Sequence, residues 1–230
     1  MIIPEDTTSI WFDAGLSFNA PNSVQFMERN PKGFVVGFEP DPRMYFGLFS
    51  AKLFAEALWL LDKSHESAAQ ELLKRRNDQS IDEVFTSNSE EYLKSSDRYI
   101  IIPAAISSNP TDYTALNLDP HHGSSGIARS QNSNQVLVAN ISLNVIINMI
   151  PDRYEYIDHL KVDCENMDAD VIRSAGSMIH KFVVVSTELN LTTMMKSLGF
   201  EFFEKQPGAF SYVNKNKKHL LDNIDYKMRV

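Results

Sequence analysis

Short apolar runs that stop at an acidic residue recur along this chain. Residues 9–12 (Ser-Ile-Trp-Phe) run into Asp13-Ala14-Gly15, and residues 34–38 (Phe-Val-Val-Gly-Phe) run into Glu39-Pro40-Asp41-Pro42. Residues 98–103, 136–141, 156–162 and 182–185 repeat the habit, the third of these stopping at Asp163 and the last near Glu188. Runs of this length bounded by turn residues predict strands. Between them the pattern turns helical at 24–29, behind Asn22 or Ser23 as cap, and at 143–149, 169–175 and 192–198. Gly176 and Gly199 read as C-terminal caps. Residues 201–204 and 209–213 form a predicted hairpin through Gln206-Pro207-Gly208. Alternating strands and helices predict an α/β fold with a doubly wound, mostly parallel sheet, and the closing hairpin predicts an antiparallel edge.

Two stretches depart from this rhythm. Residues 44–75 place Phe46, Phe49, Leu53, Phe54, Ala57, Leu58, Leu60 and Leu61 at helical spacing, and a second helix is expected near 81–93. This is more than one crossover requires, so residues 44–97 read as a helical insertion in a single domain spanning 1–230. Residues 108–131 are polar, with Gly, Pro, Asn and the adjacent His121 and His122, and read as a loop.

Composition narrows the class. The chain has 230 residues, 43% of them hydrophobic and 23% charged, which suits a globular domain with a full core. A net charge of −8 disfavours a nucleic-acid backbone as partner. No segment is long and apolar enough to span a bilayer, so no membrane partner is expected. Met1 to Asp6 holds neither a basic region nor an apolar core, so no signal peptide is expected either. The single cysteine, Cys164, suits a reducing compartment, and a cytoplasmic location is the expectation. Oligomeric state is left open.

The first two strands carry the candidate chemistry. Strand, glycine turn, helix, strand and terminal acid make a nucleotide-binding half, with Gly15 at the turn and Glu39 placed to accept from ribose hydroxyls. A dinucleotide fingerprint is missing, because no glycine follows Gly15 until Gly33. Asp13, Glu39, Asp163 and Glu188 all fall at or just after strand ends, where ligands of such sheets bind.

The blocks Phe12-Asp13-Ala14-Gly15, Gly37-Phe38-Glu39-Pro40-Asp41-Pro42, Pro103-Ala104-Ala105-Ile106-Ser107, Gly123-Ser124-Ser125 and Leu160-Lys161-Val162-Asp163-Cys164-Glu165-Asn166-Met167-Asp168 occur in a telling order. Over residues 9–214 the chain resembles the FkbM-type S-adenosylmethionine-dependent methyltransferases. The resemblance implies a class I methyltransferase (Rossmann-like) fold, S-adenosyl-L-methionine as cofactor, and O-methylation of a hydroxyl on a sugar or other small molecule. It implies that Asp13, Ala14, Gly15, Ser17 and Asn19 line the methionine side and that Glu39, beside Pro40, holds the ribose. Ala104, Ala105 and Ile106 would flank the adenine, and Asp163 would lie near the sulfonium and the small-molecule or glycan acceptor. The chain departs from the family pattern at Ser17, Asn19, Asn166 and Asp168, which stand where the family has Asn, Gly, Gly and Glu. Those departures motivate the alternative reading, a non-catalytic member of the fold with a binding or scaffold role.

Methyl transfer to oxygen needs alignment and a base for the hydroxyl proton. Asp163, Glu165 and Glu188 are the candidate bases, with His121 and His122 behind them. Helix capping is the competing role for Asp13 and Asp163, and dipole complementation for Glu165 and Asp168. No dense ligand motif appears, so no metal is expected.

Overall fold

The computed structural model describes residues 1–16, 20–44, 97–118, 126–127, 135–206 and 208–227. The described strands are β1 (Ser9–Ala14), β2 (Gly33–Phe38), β3 (Tyr99–Ile102), β4 (Ala104–Ile106), β5 (Tyr113–Asn117) and β6 (Gly126–Ile127). They continue as β7 (Gln135–Ile141), β8 (Ile157–Val162), β9 (Phe182–Thr187), β10 (Phe200–Gln206) and β11 (Ala209–Asn214). Seven of them make one sheet in the order β3-β2-β1-β8-β9-β11-β10. The five from β3 to β9 run parallel, and β11 is antiparallel to both of its neighbours. This is the expected class I methyltransferase-type sheet with an antiparallel C-terminal hairpin. Its strand order reverses between β1 and β8, which makes that junction the topological switch point.

Every residue of β2, β8 and β9 is buried. Strands covered on both faces read as continuous apolar runs, and so they do in β2 and in the first four residues of β9. Strand β8 is the exception, with Asp158, His159 and Lys161 inside a fully buried run. Each has a partner: Asp158 Oδ2 accepts the Ile10 amide at 2.6 Å, His159 Nε2 lies 2.8 Å from Ser186 Oγ, and Lys161 pairs with Asp13. The histidine bond continues through Ser211 to Gln206, a polar chain crossing β8, β9, β11 and β10.

Helices cover both faces. On one, α1 (Pro21–Arg29) sets Val24, Phe26 and Met27 against Trp11, Leu16 and Val35, with the Trp11 and Phe26 rings stacked at 4.5 Å. On the other, α2 (Leu143–Ile147), α3 (Asp168–Ser174) and a 3-10 helix (Gly176–Lys181) cover Phe12, Phe34, Leu160, Val162 and Phe182. A last helix, α4 (Thr192–Ser197), leads into β10 across Gly199 at φ +80°. The C-terminal segment returns over α1, where Asp225 accepts from Trp11 Nε1 through its carbonyl and from Arg29 and Asn30 through its carboxylate.

Two expectations are corrected. The run 98–103 is not one strand: β3 ends at Ile102, and after Pro103 the chain enters a second sheet of order β4-β7-β5-β6. Proline lacks the amide hydrogen that a continued ladder needs. The stretch 108–131 is not all loop, since β5 pairs antiparallel with β7 from Tyr113↔Ala139 to Asn117↔Gln135. The helical insertion at 44–97 falls almost wholly on residues 45–96, which lie outside the described residues.

Candidate functional site

The site is the carboxyl edge of the parallel strands. There the ladder continues one step beyond each strand end. Glu188 N–H donates to Val162 O at 3.1 Å, Asp163 N–H to Ala14 O at 3.0 Å, Gly15 N–H to Phe38 O at 3.1 Å and Glu39 N–H to Ile102 O at 3.2 Å. Each donor is the first residue after its strand. The extended ladder therefore fixes Glu188, Asp163, Gly15 and Glu39 in one row across the switch point.

Gly15 is required by geometry. Its φ is +86°, and a Cβ there would stand 1.9 Å from the Asp163 carbonyl oxygen. Only glycine takes that conformation cheaply, and only glycine lets the turn after β1 lie against the end of β8. Leu16 N–H shares the Phe38 carbonyl at 3.3 Å, so the turn is also pinned to the end of β2, beside Glu39.

Glu39 is buried, and its Oε1 accepts the Asp41 amide at 2.9 Å. That bond holds the carboxylate at the strand end. Asp41 in turn is buried with Arg43, whose guanidinium binds its carboxylate at 2.6 to 3.2 Å. Pro40 is half-buried between them.

Asp13 is 1% exposed. Ser23 Oγ, in the first turn of α1, donates to its Oδ2 at 2.5 Å, and Lys161 Nζ lies 3.1 Å from its Oδ1. Lys161 also donates to the Gly15 carbonyl at 2.5 Å and sits 3.6 Å from Asp163 Oδ2. Burial works against the charge of Lys161, but Asp13 and Asp163 outweigh it and hold the ammonium above its usual pKa.

The rim is acidic. Asp163 is exposed, Glu165 half-buried and Glu188 exposed. Burial first, then the charges of Asp163, Glu165 and Asp168, raise the Glu188 carboxyl above the usual carboxylate range, and Lys161 partly offsets them. Glu165 and Asn166 take φ of +49° and +71°, so the turn after β8 is left-handed at two successive residues. Asn166 thus occupies a backbone state that asparagine tolerates better than most residues, which accounts for its standing where the resembled family has glycine. Asp168 is fully buried, accepting from Cys164 N–H at 3.2 Å and Leu189 N–H at 3.1 Å. It ties the turn after β8 to the turn after β9.

Asp13, Gly15, Glu39, Asp163, Glu165 and Glu188 are thereby gathered at one edge, and Ala14 closes β1 beneath them. Ala105 and Ile106 are buried in β4, Ala105 against Leu116 and Val138 of the second sheet and Ile106 in the main core. Ser17, Asn19, His121 and His122 lie outside the described residues. Sequence reasoning gave no role to Lys161 or Ser23. The signal for the first was a lysine inside an apolar strand. Among the described residues, no group of three or more His, Cys, Asp or Glu is arranged to hold a metal ion, and no helix is long and apolar enough to cross a membrane.

Topology and edge together define a class I methyltransferase-type architecture. No family model matches the chain, and no curated protein matches it. Among solved structures it is similar to one titled "Structure of an Antibiotic Related Methyltransferase", at 10% identity and a TM-score of 0.35, over 90% of this chain and 87% of that one. A likeness of that size speaks to neither activity nor substrate.

Proposed function

We propose that this chain is an S-adenosylmethionine-dependent methyltransferase of the FkbM type, acting on a hydroxyl of a sugar or another small molecule. The observation that carries the reading is the row of Glu188, Asp163, Gly15 and Glu39 across the switch point. That is where a nucleoside binds such a sheet, and a buried carboxylate closing β2 is the group that takes ribose hydroxyls. The charge of the edge supports the choice of nucleotide. Asp163, Glu165 and Glu188 favour a cofactor carrying positive charge at its reacting end. They disfavour a pyrophosphate, which glycine-rich turns and helix N-termini accommodate elsewhere.

The donor set fits the cofactor. Glu39 accepts from the ribose hydroxyls, and the close-packed Gly15 turn shapes the methionine side. Pro40 lies beside the ribose position, and the Ala104–Ile106 segment flanks the adenine. Bound, S-adenosylmethionine supplies an electrophilic methyl group on a sulfonium. Asp163 and Glu165 place negative charge at the rim. Glu188, whose carboxyl is pushed toward neutrality, is the base that takes the acceptor hydroxyl proton as oxygen attacks; efficient bases have pKa values near the working pH.

Titration calorimetry of the full chain with S-adenosylmethionine tests the reading. The unaltered chain is expected to bind, and Glu39→Ala to weaken binding about tenfold or more, the loss of charge-assisted ribose bonds. No binding by the unaltered chain at about 1 mM cofactor refutes the assignment, and equal affinity in Glu39→Ala refutes the ribose role.

A further inference from the structure

Strands β1 and β8 pair in parallel with Asp13 directly opposite Lys161. The lysine side chain is 4% exposed and its ammonium is committed on three sides. It donates to the Gly15 carbonyl at 2.5 Å, lies 3.1 Å from Asp13 Oδ1 and 3.6 Å from Asp163 Oδ2. Asp13 passes the connection to α1 through Ser23. One cation therefore joins the end of β1, the glycine turn, the first helix and the acidic rim.

Stability alone does not explain such a group. Burying an ammonium and a carboxylate costs several kcal/mol, and well-packed apolar side chains of similar volume usually serve as well or better. What the ion pair adds is direction. The Gly15 carbonyl is held inward on Lys161 while the Gly15 and Leu16 amides are held on Phe38 O. The two constraints fix both peptide planes of the turn. The same ammonium draws the exposed Asp163 carboxylate back over the turn.

We propose that Lys161 is the positioning residue of this site: it sets the glycine turn and Asp163 in the arrangement that the cofactor requires. This rests on the reading of the edge as an S-adenosylmethionine site. Lys161 touches neither cofactor nor acceptor. It acts through Gly15 and Asp163.

The test separates folding from binding. Lys161→Met strands Asp13 as a buried unpaired charge, and a large fall in melting temperature is expected. In Asp13→Asn with Lys161→Met both charges are gone, and the melting temperature is expected to return most of the way to that of the unaltered chain. Affinity for S-adenosylmethionine, measured by calorimetry on the full chain, is expected to stay about tenfold or more weaker in this folded double variant. The Gly15 carbonyl and Asp163 have then lost their donor. Should that pair not fold, Asp13→Asn with Lys161→Gln supplies the same comparison. A folded double variant that binds as tightly as the unaltered chain overturns the inference and leaves the cofactor assignment standing. An unaltered chain that does not bind overturns both.

Discussion

Asp158 and His159 are neighbours in β8 whose protonation pulls stability in opposite directions, and replacing one exposes the other. Asp158 is 3% exposed, and burial pushes its carboxyl from 3.8 to about 7, against the pull of the Ile10 amide. His159 is fully buried, and burial pushes its imidazole from 6.5 down to about 3. For Asp158 the folded chain holds a proton between about pH 4 and 7 that the unfolded chain has released. Stability therefore falls as pH rises through that window, by about 1.4 kcal/mol per pH unit, or ~4 kcal/mol in all. For His159 the unfolded chain holds the extra proton between about pH 3 and 6.5, so stability rises with pH at the same rate. Over the shared window the two slopes nearly cancel. Asp158→Asn keeps an acceptor for Ile10 and removes the falling slope. Urea unfolding followed by tryptophan fluorescence at half-unit steps from pH 4 to 7.5 reads the difference. The stability of Asp158→Asn relative to the unaltered chain is expected to climb by about 1.4 kcal/mol per unit up to about pH 7 and then level off. A pH-independent difference would show that Asp158 ionises in the folded chain as it does in the unfolded one. The linkage would then be wrong.

Two further substitutions probe the edge. Gly15→Ala places a methyl 1.9 Å from the Asp163 carbonyl at a φ of +86°. Beyond the ~1–2 kcal/mol for a left-handed alanine, it has to part β1 from β8, so a loss of more than ~3 kcal/mol in urea unfolding is expected together with loss of cofactor binding by calorimetry. Unchanged stability would mean that the turn has room that the geometry denies. Asp168→Ala orphans the Cys164 and Leu189 amides. A cost of ~2–4 kcal/mol is expected from chemical unfolding, and a value under ~0.5 kcal/mol would remove Asp168 as the tie between the two turns.

How far the sequence carries the structure depends on how local each feature is. An apolar run closed by an acid is a local pattern, and it placed Glu39, Asp163 and Glu188 at strand ends before any pairing was known. The ladders then carry those residues into register, because all the strands involved are parallel and end at the same level. The second sheet was not legible for the opposite reason. Strand β5 reads Tyr-Thr-Ala-Leu-Asn, of which Leu116 alone is buried, so the period of two that marks a half-buried strand is almost without amplitude. Its partner β7 leaves Leu137 exposed, and a two-sided polar environment gives little register information.

Lys161 was hidden by topology and not by weak pattern. An isolated lysine in an apolar strand reads as an edge residue or a solvated tip until β8 is known to lie beside β1, a pairing between segments far apart in the chain. Once they are adjacent, the charge sum at the switch point changes meaning. Asp13 and Lys161 neutralise each other below the surface, within 3.1 Å and almost wholly out of water. The acids left to face a ligand are Asp163, Glu165 and Glu188, which carry the sign that a sulfonium requires. Had Lys161 stood at the surface and Asp163 beneath it, the same composition would present a cation at the rim and suit a phosphate. Order along β8, with the lysine two residues before the aspartate and on the inner side of the turn, therefore decides which class of nucleotide this edge can take.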